Sequence, residues 1–256
     1  MLSASLASRH YRLVLVTDAI FAQVARKLQL PFSLIDECLD EKLSKMNFLL
    51  WCSPKFVGVE RHANSSFVHL DEDVYLWKPL PERLFKERVF GQNKEDLRFF
   101  FYRYAEFTVS LWVKPENWTI QSPYAVNAGV LGGCDVEFWQ FFVRSYFDLV
   151  SQLRRLNPLH GSIPDSMACM AEQYYLAWLC QRHDVPIGFL FDENDGRDKI
   201  TELGYTHLIG PAKNNPENLQ RLESRVSADY PEFTERIDES VALLRKYFPN
   251  NPCSKV

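Results

Sequence analysis

Two carboxylates stand one residue apart in Asp71-Glu72-Asp73, directly after the apolar run Phe67-Val68-His69-Leu70. Ionised side chains held so close repel each other unless a cation lies between them. A hard divalent ion with oxygen ligands at about 2 Å removes that repulsion, and short Asp side chains keep it near the backbone. Glu72 points to the other side, because neighbours in an extended segment alternate. The same triplet also reads as a solvated acidic turn, since D-x-D is frequent by chance. What favours the metal-binding reading is its setting: an apolar strand before it and the apolar, proline-ended VYLWKPLP after it.

The elements that position this turn follow from periodicity and breakers. YRLVLVT (Tyr11–Thr17) predicts a strand, and the spacing of Ile20, Val24 and Leu28 predicts a helix that Pro31 stops. A helical, aromatic-rich stretch runs from Leu43 to His62, interrupted at Pro54, and Phe67–Leu70 and Arg88–Gln92 read as strands. AVNAGVLGG (Ala125–Gly133) reads as one glycine-containing strand. Helical patterns cover Asp135–Leu156, Ser166–His183, Pro216–Val226 and Pro231–Phe248. Strands near Gly188–Phe191 and Thr206–Ile209 flank the polar DENDGRDK segment. Such alternation predicts an α/β layered domain with a mostly parallel sheet, whose ligands bind beyond the strands' carboxyl ends.

Composition narrows the classes. With 256 residues, 46% of them hydrophobic, the chain can bury a sizeable core, and no linker or repeat divides it. Its net charge of -4 argues against a nucleic-acid binder. Six scattered cysteines without a C-x-x-C pair do not form a zinc motif and read as reduced thiols. The start lacks a continuous apolar signal region and no apolar run nears the roughly 18 residues of a membrane span, so a cytoplasmic location is expected. The sequons at Asn64 and Asn117 would matter only in a secreted chain. Nucleophile-elbow, Walker and dinucleotide fingerprints are absent from the sequence. His69 reads as packed, and Phe99–Tyr102, Trp139, Phe141 and Phe142 as core aromatics.

FVHLDEDVYLWKPL resembles the metal-binding strand of glycosyltransferases of the GT-A fold, which hold manganese or magnesium against the diphosphate of a sugar nucleotide. NAGVLGG (Asn127–Gly133) resembles the acceptor-side strand of that fold. Glu172-Gln173 falls on a helix where relatives of glycosyltransferase family 8 carry an acidic-Gln pair near the donor sugar, and His207-x-x-Gly210-x-x-Lys213 matches their H-x-x-G-x-x-K motif. The resemblance spans roughly residues 11–215 in sparse motifs and is nearest a bacterial branch of the clan. It implies a Rossmann-like GT-A domain over 1–256, with a nucleotide- and metal-binding half (11–133), an acceptor-side region (134–215) and C-terminal helices (216–256). It also implies Mn²⁺ or Mg²⁺ on Asp71, Asp73 and His207, and a nucleoside diphosphate sugar, most naturally a UDP-sugar, as donor. Donor contacts would come from Asp71, Asn127, Gly210 and Lys213, with Glu172, Gln173 and Lys213 in the reaction. The acceptor, a glycan or otherwise, is not named by the sequence. A non-catalytic nucleotide- or glycan-binding module and a nucleotide-sugar hydrolase are the rival readings.

The late motif has a physical logic of its own. His207 offers a neutral imidazole nitrogen, a ligand manganese accepts. Gly210 leaves room for backbone to approach a phosphate, and Lys213 sets a compact positive charge against a diphosphate. Taken singly, His207 reads as a satisfied strand-end histidine and Lys213 as a surface lysine; Asn127 reads nearly as well as a turn residue. Against the GT-A pattern, YRLVLVTD looks like a second strand. Only ten residues precede it, with Leu2 and Leu6 spaced as on a helix, so a missing first strand and an open edge beside Tyr11–Thr17 are expected.

Overall fold

Four aromatic or branched side chains at helical spacing, Trp139, Phe142, Val143 and Tyr146, explain the longest element among the described residues, Val136–Leu156. All four are buried, and together they organise the main core. A computed structural model describes residues 2–44, 50–97, 122–156, 165–192, 195, 197–231, 242–243 and 245–246. Phe99–Tyr102, Asn117, Cys253 and most of the helix expected over Pro231–Phe248 lie outside the described residues. In chain order the elements are α1 (Leu2–Ala7), β1 (Val14–Val16), α2 (Ala19–Lys27), β2 (Leu34–Asp36), α3 (Leu39–Ser44), α4 (Ser53–His62), β3 (Phe67–Leu70) and β4 (Val74–Leu76). After the 3₁₀ turn Glu82–Lys86 come β5 (Val89–Gly91), β6 (Lys94–Asp96), β7 (Tyr124–Val126), β8 (Val130–Gly133) and α5 (Val136–Leu156). Then follow α6 (Asp165–Cys169), α7 (Tyr175–Arg182), β9 (Ile187–Phe189), α8 (Arg197–Leu203), β10 (Tyr205–His207) and α9 (Pro216–Asp229).

Contacts group the chain into two compact units whose segments interleave. One comprises Met1–Asp40, Glu72–Pro79 and Gly204–Val256, the other Glu41–Asp71 and Leu80–Leu203. These bounds differ from the divisions at 133 and 215 expected from sequence.

The second unit holds a four-stranded sheet in the order β3-β8-β5-β9. β8 runs antiparallel to both β3 and β5, and β9 runs parallel to β5. Thus β3, β5 and β9 point one way and end at the same edge, where β8 begins. The expected mostly parallel sheet is therefore corrected to a mixed α/β arrangement: of the six strand pairings among the described residues, β1–β2 and β5–β9 are parallel and the others antiparallel. The reason lies in Asn127-Ala128-Gly129. It breaks the expected single strand Ala125–Gly133 into β7, which pairs with β6, and β8, which turns back between β3 and β5. Gly133 ends β8 with φ +152°, and a Cβ there would lie 2.1 Å from the Arg88 carbonyl oxygen, so only glycine fits. Helix α5 packs Phe142 and Tyr146 on Phe56 of α4, with ring centroids 5.2 and 4.3 Å apart. Each such buried ring contributes about 1.5–3 kcal/mol through burial. Pro54 starts α4 rather than interrupting a longer helix: in the first turn its missing N–H costs nothing.

The first unit pairs β1 with β2 in parallel, joined by α2, and β4 with β10 antiparallel. Asp18 caps α2 by accepting from the Phe21 N–H at 2.7 Å. The buried face of that helix is Ala22, Val24, Ala25 and Leu28; Ile20, expected on it, is exposed. Leu2 and Leu6 lie on α1 as expected and pack with Val226 and Tyr230. Val14 and Leu34, register partners in β1 and β2, are 40% and 41% exposed. None of the five described cysteines forms a disulfide, and no helix among the described residues is long and apolar enough to cross a membrane.

Candidate functional site

Asp71 closes one unit and Glu72 opens a segment of the other, so the acidic triplet is where the chain passes between them. Each unit surrounds its own carboxylate with charge.

In the sheet-containing unit, Asp71 follows β3, and its backbone N–H donates to the Gly129 carbonyl at 3.0 Å, at the edge where β8 begins. Its Oδ1 meets Nζ of Lys55 at 2.8 Å. Lys55 lies on α4 beside Cys52, Phe56 and Val59, which are buried at the spacing of one helix face, so helical geometry turns the lysine inward with them. The Lys55 ammonium also touches the Glu172 carboxylate and donates to the Ala128 carbonyl at 3.0 Å. Three acceptors match the three N–H bonds of an ammonium. Burial works against the Lys55 charge, but Glu172 and Asp71 more than reverse this and lift its pKa above the ordinary lysine range.

Burial alone would raise Asp71; hydrogen bonding from His69 and the nearby Lys55 charge hold its carboxyl well below the usual range. Glu172 is 1% exposed, and burial, reinforced by Asp71, pushes it up despite Lys55. His69 Nε2 lies 3.1 Å from Asp71 Oδ1. Burial lowers the His69 pKa, so the ring is neutral at pH 7, and against an ionised carboxylate its Nε2 must carry the proton and donate. Glu172 and Gln173 sit on a π-helical turn, Met170–Tyr174, between α6 and α7. Such single wide turns are frequent at functional sites. Asn127 uses its amide locally: Nδ2 donates to Glu95 at 2.6 Å and Oδ1 accepts from the Gly129 N–H at 3.1 Å. That is the geometry of a turn residue, and it shapes the loop that receives Asp71 and Lys55.

In the other unit the pairing of β4 with β10 sets His207 opposite Val74, next to Asp73. His207 Nε2 lies 3.3 Å from Asp73 Oδ1, and the Leu208 N–H donates to the Asp73 carbonyl at 3.1 Å. The 3₁₀ turn Gly210–Asn214 carries Lys213, whose Nζ lies 2.7 Å from Asp73 Oδ2. Burial would raise Asp73, but His207 and Lys213 hold it below the usual carboxylate range. Gly210 has φ +51°, which accounts for glycine there, and a Cβ at this position would meet nothing within 4 Å. The turn therefore presents open space beside a histidine, a lysine and a carboxylate. A carboxylate and an imidazole facing each other suit a divalent metal of the manganese type.

Among known families, the model of a family of unknown function, DUF6734, matches residues 1–240. The chain belongs to the DUF6734 family. No curated protein and no solved structure matches it.

Of the sequence-predicted residues, the fold brings Asp73, His207 and Lys213 together, with Gly210 in the same turn, and separately brings Asp71 and Glu172 onto one lysine. Sequence reasoning missed Lys55 and set His69 aside. For Lys55 a signal was present, a cation at an apolar-face position of an amphipathic helix. For His69 none was, because its partner is identified only once the strand end is built.

Proposed function

We propose that this DUF6734 chain is a metal-dependent glycosyltransferase of the GT-A type, acting in the cytoplasm on a nucleoside diphosphate sugar, most naturally a UDP-sugar. Asp73 and His207 would hold Mn²⁺ or Mg²⁺, since Asp71 is already met by Lys55 and His69 in its own unit. The observation that carries the reading is the convergence of His207 and Lys213 on Asp73 across 134 and 140 positions of sequence. A chance match to a sparse motif has no reason to bring its histidine and lysine onto the acidic triplet. Bound there, a divalent cation would supply neutralisation of the charge that develops on the diphosphate. Lys213, on its flexible stem, contributes a second positive charge to the same oxygens. Gly210 leaves the backbone clear for a phosphate, and the loop Asn127–Gly129 holds Asp71 and Lys55 in place.

One observation favours a second reading, a module that binds the nucleotide without turnover: Glu172, the acidic residue expected near the donor sugar, is buried against Lys55. Incubation with Mn²⁺ and a panel of sugar nucleotides separates the two, since transfer or fast donor breakdown marks an enzyme and saturable binding alone marks a module. The metal assignment is tested by calorimetry with UDP and Mn²⁺. Asp73→Asn should nearly abolish metal-dependent binding while the far-UV spectrum stays unchanged, and undiminished affinity would sink the reading.

A further inference from the structure

We propose that Lys213 is the resident counter-ion of the metal site: it occupies Asp73 when no metal is bound, and metal binding releases it toward the diphosphate. The inference rests on the metal-site reading above and goes beyond it, because it sets an order of binding. Both Asp73 oxygens have partners, Oδ1 facing His207 at 3.3 Å and Oδ2 facing Lys213 at 2.7 Å. Asp73 is 14% exposed, so its charge is only partly met by water and the ammonium is its principal neutraliser. A divalent ion on Asp73 and His207 would share that one carboxylate with the ammonium. Three positive charges around one negative charge, in a partly desolvated site, repel strongly.

The lysine is the partner able to leave. Its side chain is 52% exposed, it ends a flexible four-carbon stem, and it springs from a short 3₁₀ turn facing open space at Gly210. His207, in contrast, is 9% exposed and fixed by the β4–β10 register. Released, the ammonium becomes free to meet an anion on the same turn. The metal-free protein thus has a weak anion site, because its lysine is already neutralised, and the metal-bound protein a strong one.

The test uses the full chain and two probes, Mn²⁺ alone and inorganic pyrophosphate. Calorimetry with Mn²⁺ should give tighter binding to Lys213→Met than to wild type, by about fivefold, the scale of one partly exposed ion pair. Lys213→Arg, which keeps the charge, should stay near wild type. Pyrophosphate at saturating Mn²⁺ should bind wild type well and Lys213→Met at least about tenfold more weakly. Equal or weaker Mn²⁺ binding by Lys213→Met, with wild-type binding intact, overturns the counter-ion role and leaves the metal site standing. Failure of wild type and both variants to bind Mn²⁺ overturns the metal site and the proposal together. Melting curves distinguish either result from misfolding, which a surface lysine should not cause.

Discussion

Lys55 occupies a helix position that its neighbours mark as apolar, and it stays charged there because Asp71, Glu172 and the Ala128 carbonyl surround it. A buried ion pair of this kind adds little net stability, but removing one partner strands the other. Lys55→Met should therefore destabilise the chain by about 3 kcal/mol in urea denaturation. Adding Glu172→Gln should recover part of that loss, since an amide no longer needs the ammonium. If the double variant were no more stable than the single one, Lys55 would act through packing rather than charge. His69 and Lys213 belong to the same scale: each meets one carboxylate of the acidic triplet, His69 beside Lys55 and Lys213 opposite His207.

At the scale of elements, helix α5 shows how one terminus is secured. Asp135 precedes its first residue; Oδ1 accepts from the Phe138 N–H at 3.0 Å, and Oδ2 takes two bonds from Arg88 at 2.8 and 2.6 Å. Burial would raise the Asp135 pKa, but the Phe138 N–H and Arg88 outweigh it and depress the value. A carboxyl depressed in the folded state contributes stability above the unfolded pKa of about 3.9, and this is lost as pH falls through the lower folded value. Asp135→Ala should cost about 1 kcal/mol at pH 7. Asp135→Asn, which still caps but cannot pair with Arg88, should cost less and should flatten the acid limb of the stability profile below about pH 4. Melting temperatures of the three proteins from pH 2 to 7 decide this; parallel acid limbs would show that Asp135 does not carry the linkage.

For the molecule as a whole, each compact unit has its own core. Trp139, Phe142 and Tyr146 lie in one, and Leu6, Val226 and Tyr230 in the other, where Arg225 stacks 3.6 Å from the Trp77 ring centroid. Phe142→Ala should destabilise by about 3–5 kcal/mol and Leu6→Ala by about 2–5 kcal/mol. Hydrogen exchange should locate each loss mainly in the unit that bears the substitution. Uniform loss of protection from either change would mean that the chain unfolds as one cooperative body.

The sequence by itself determined the pieces. Phe67–Leu70 forms the predicted strand, the long apolar period of 136–156 forms the predicted helix, and Leu2 and Leu6 share a helix face, because local periodicity and breakers suffice for such segments. It also singled out Asp73, His207, Gly210 and Lys213, three of which the fold brings into contact and the fourth of which opens the same turn. It did not give the direction of β8, because strand orientation depends on a turn at Asn127–Gly129 that reads locally like more strand. The short strands β2, β4 and β6 were missed for a related reason: three residues hold too little pattern to outweigh their surroundings. Only the tertiary structure decided which charges meet. His207 reaches Asp73 through a strand register, and Lys55 reaches Asp71 and Glu172 through helix packing and a π turn, and such distances arise from pairings between residues far apart in the chain.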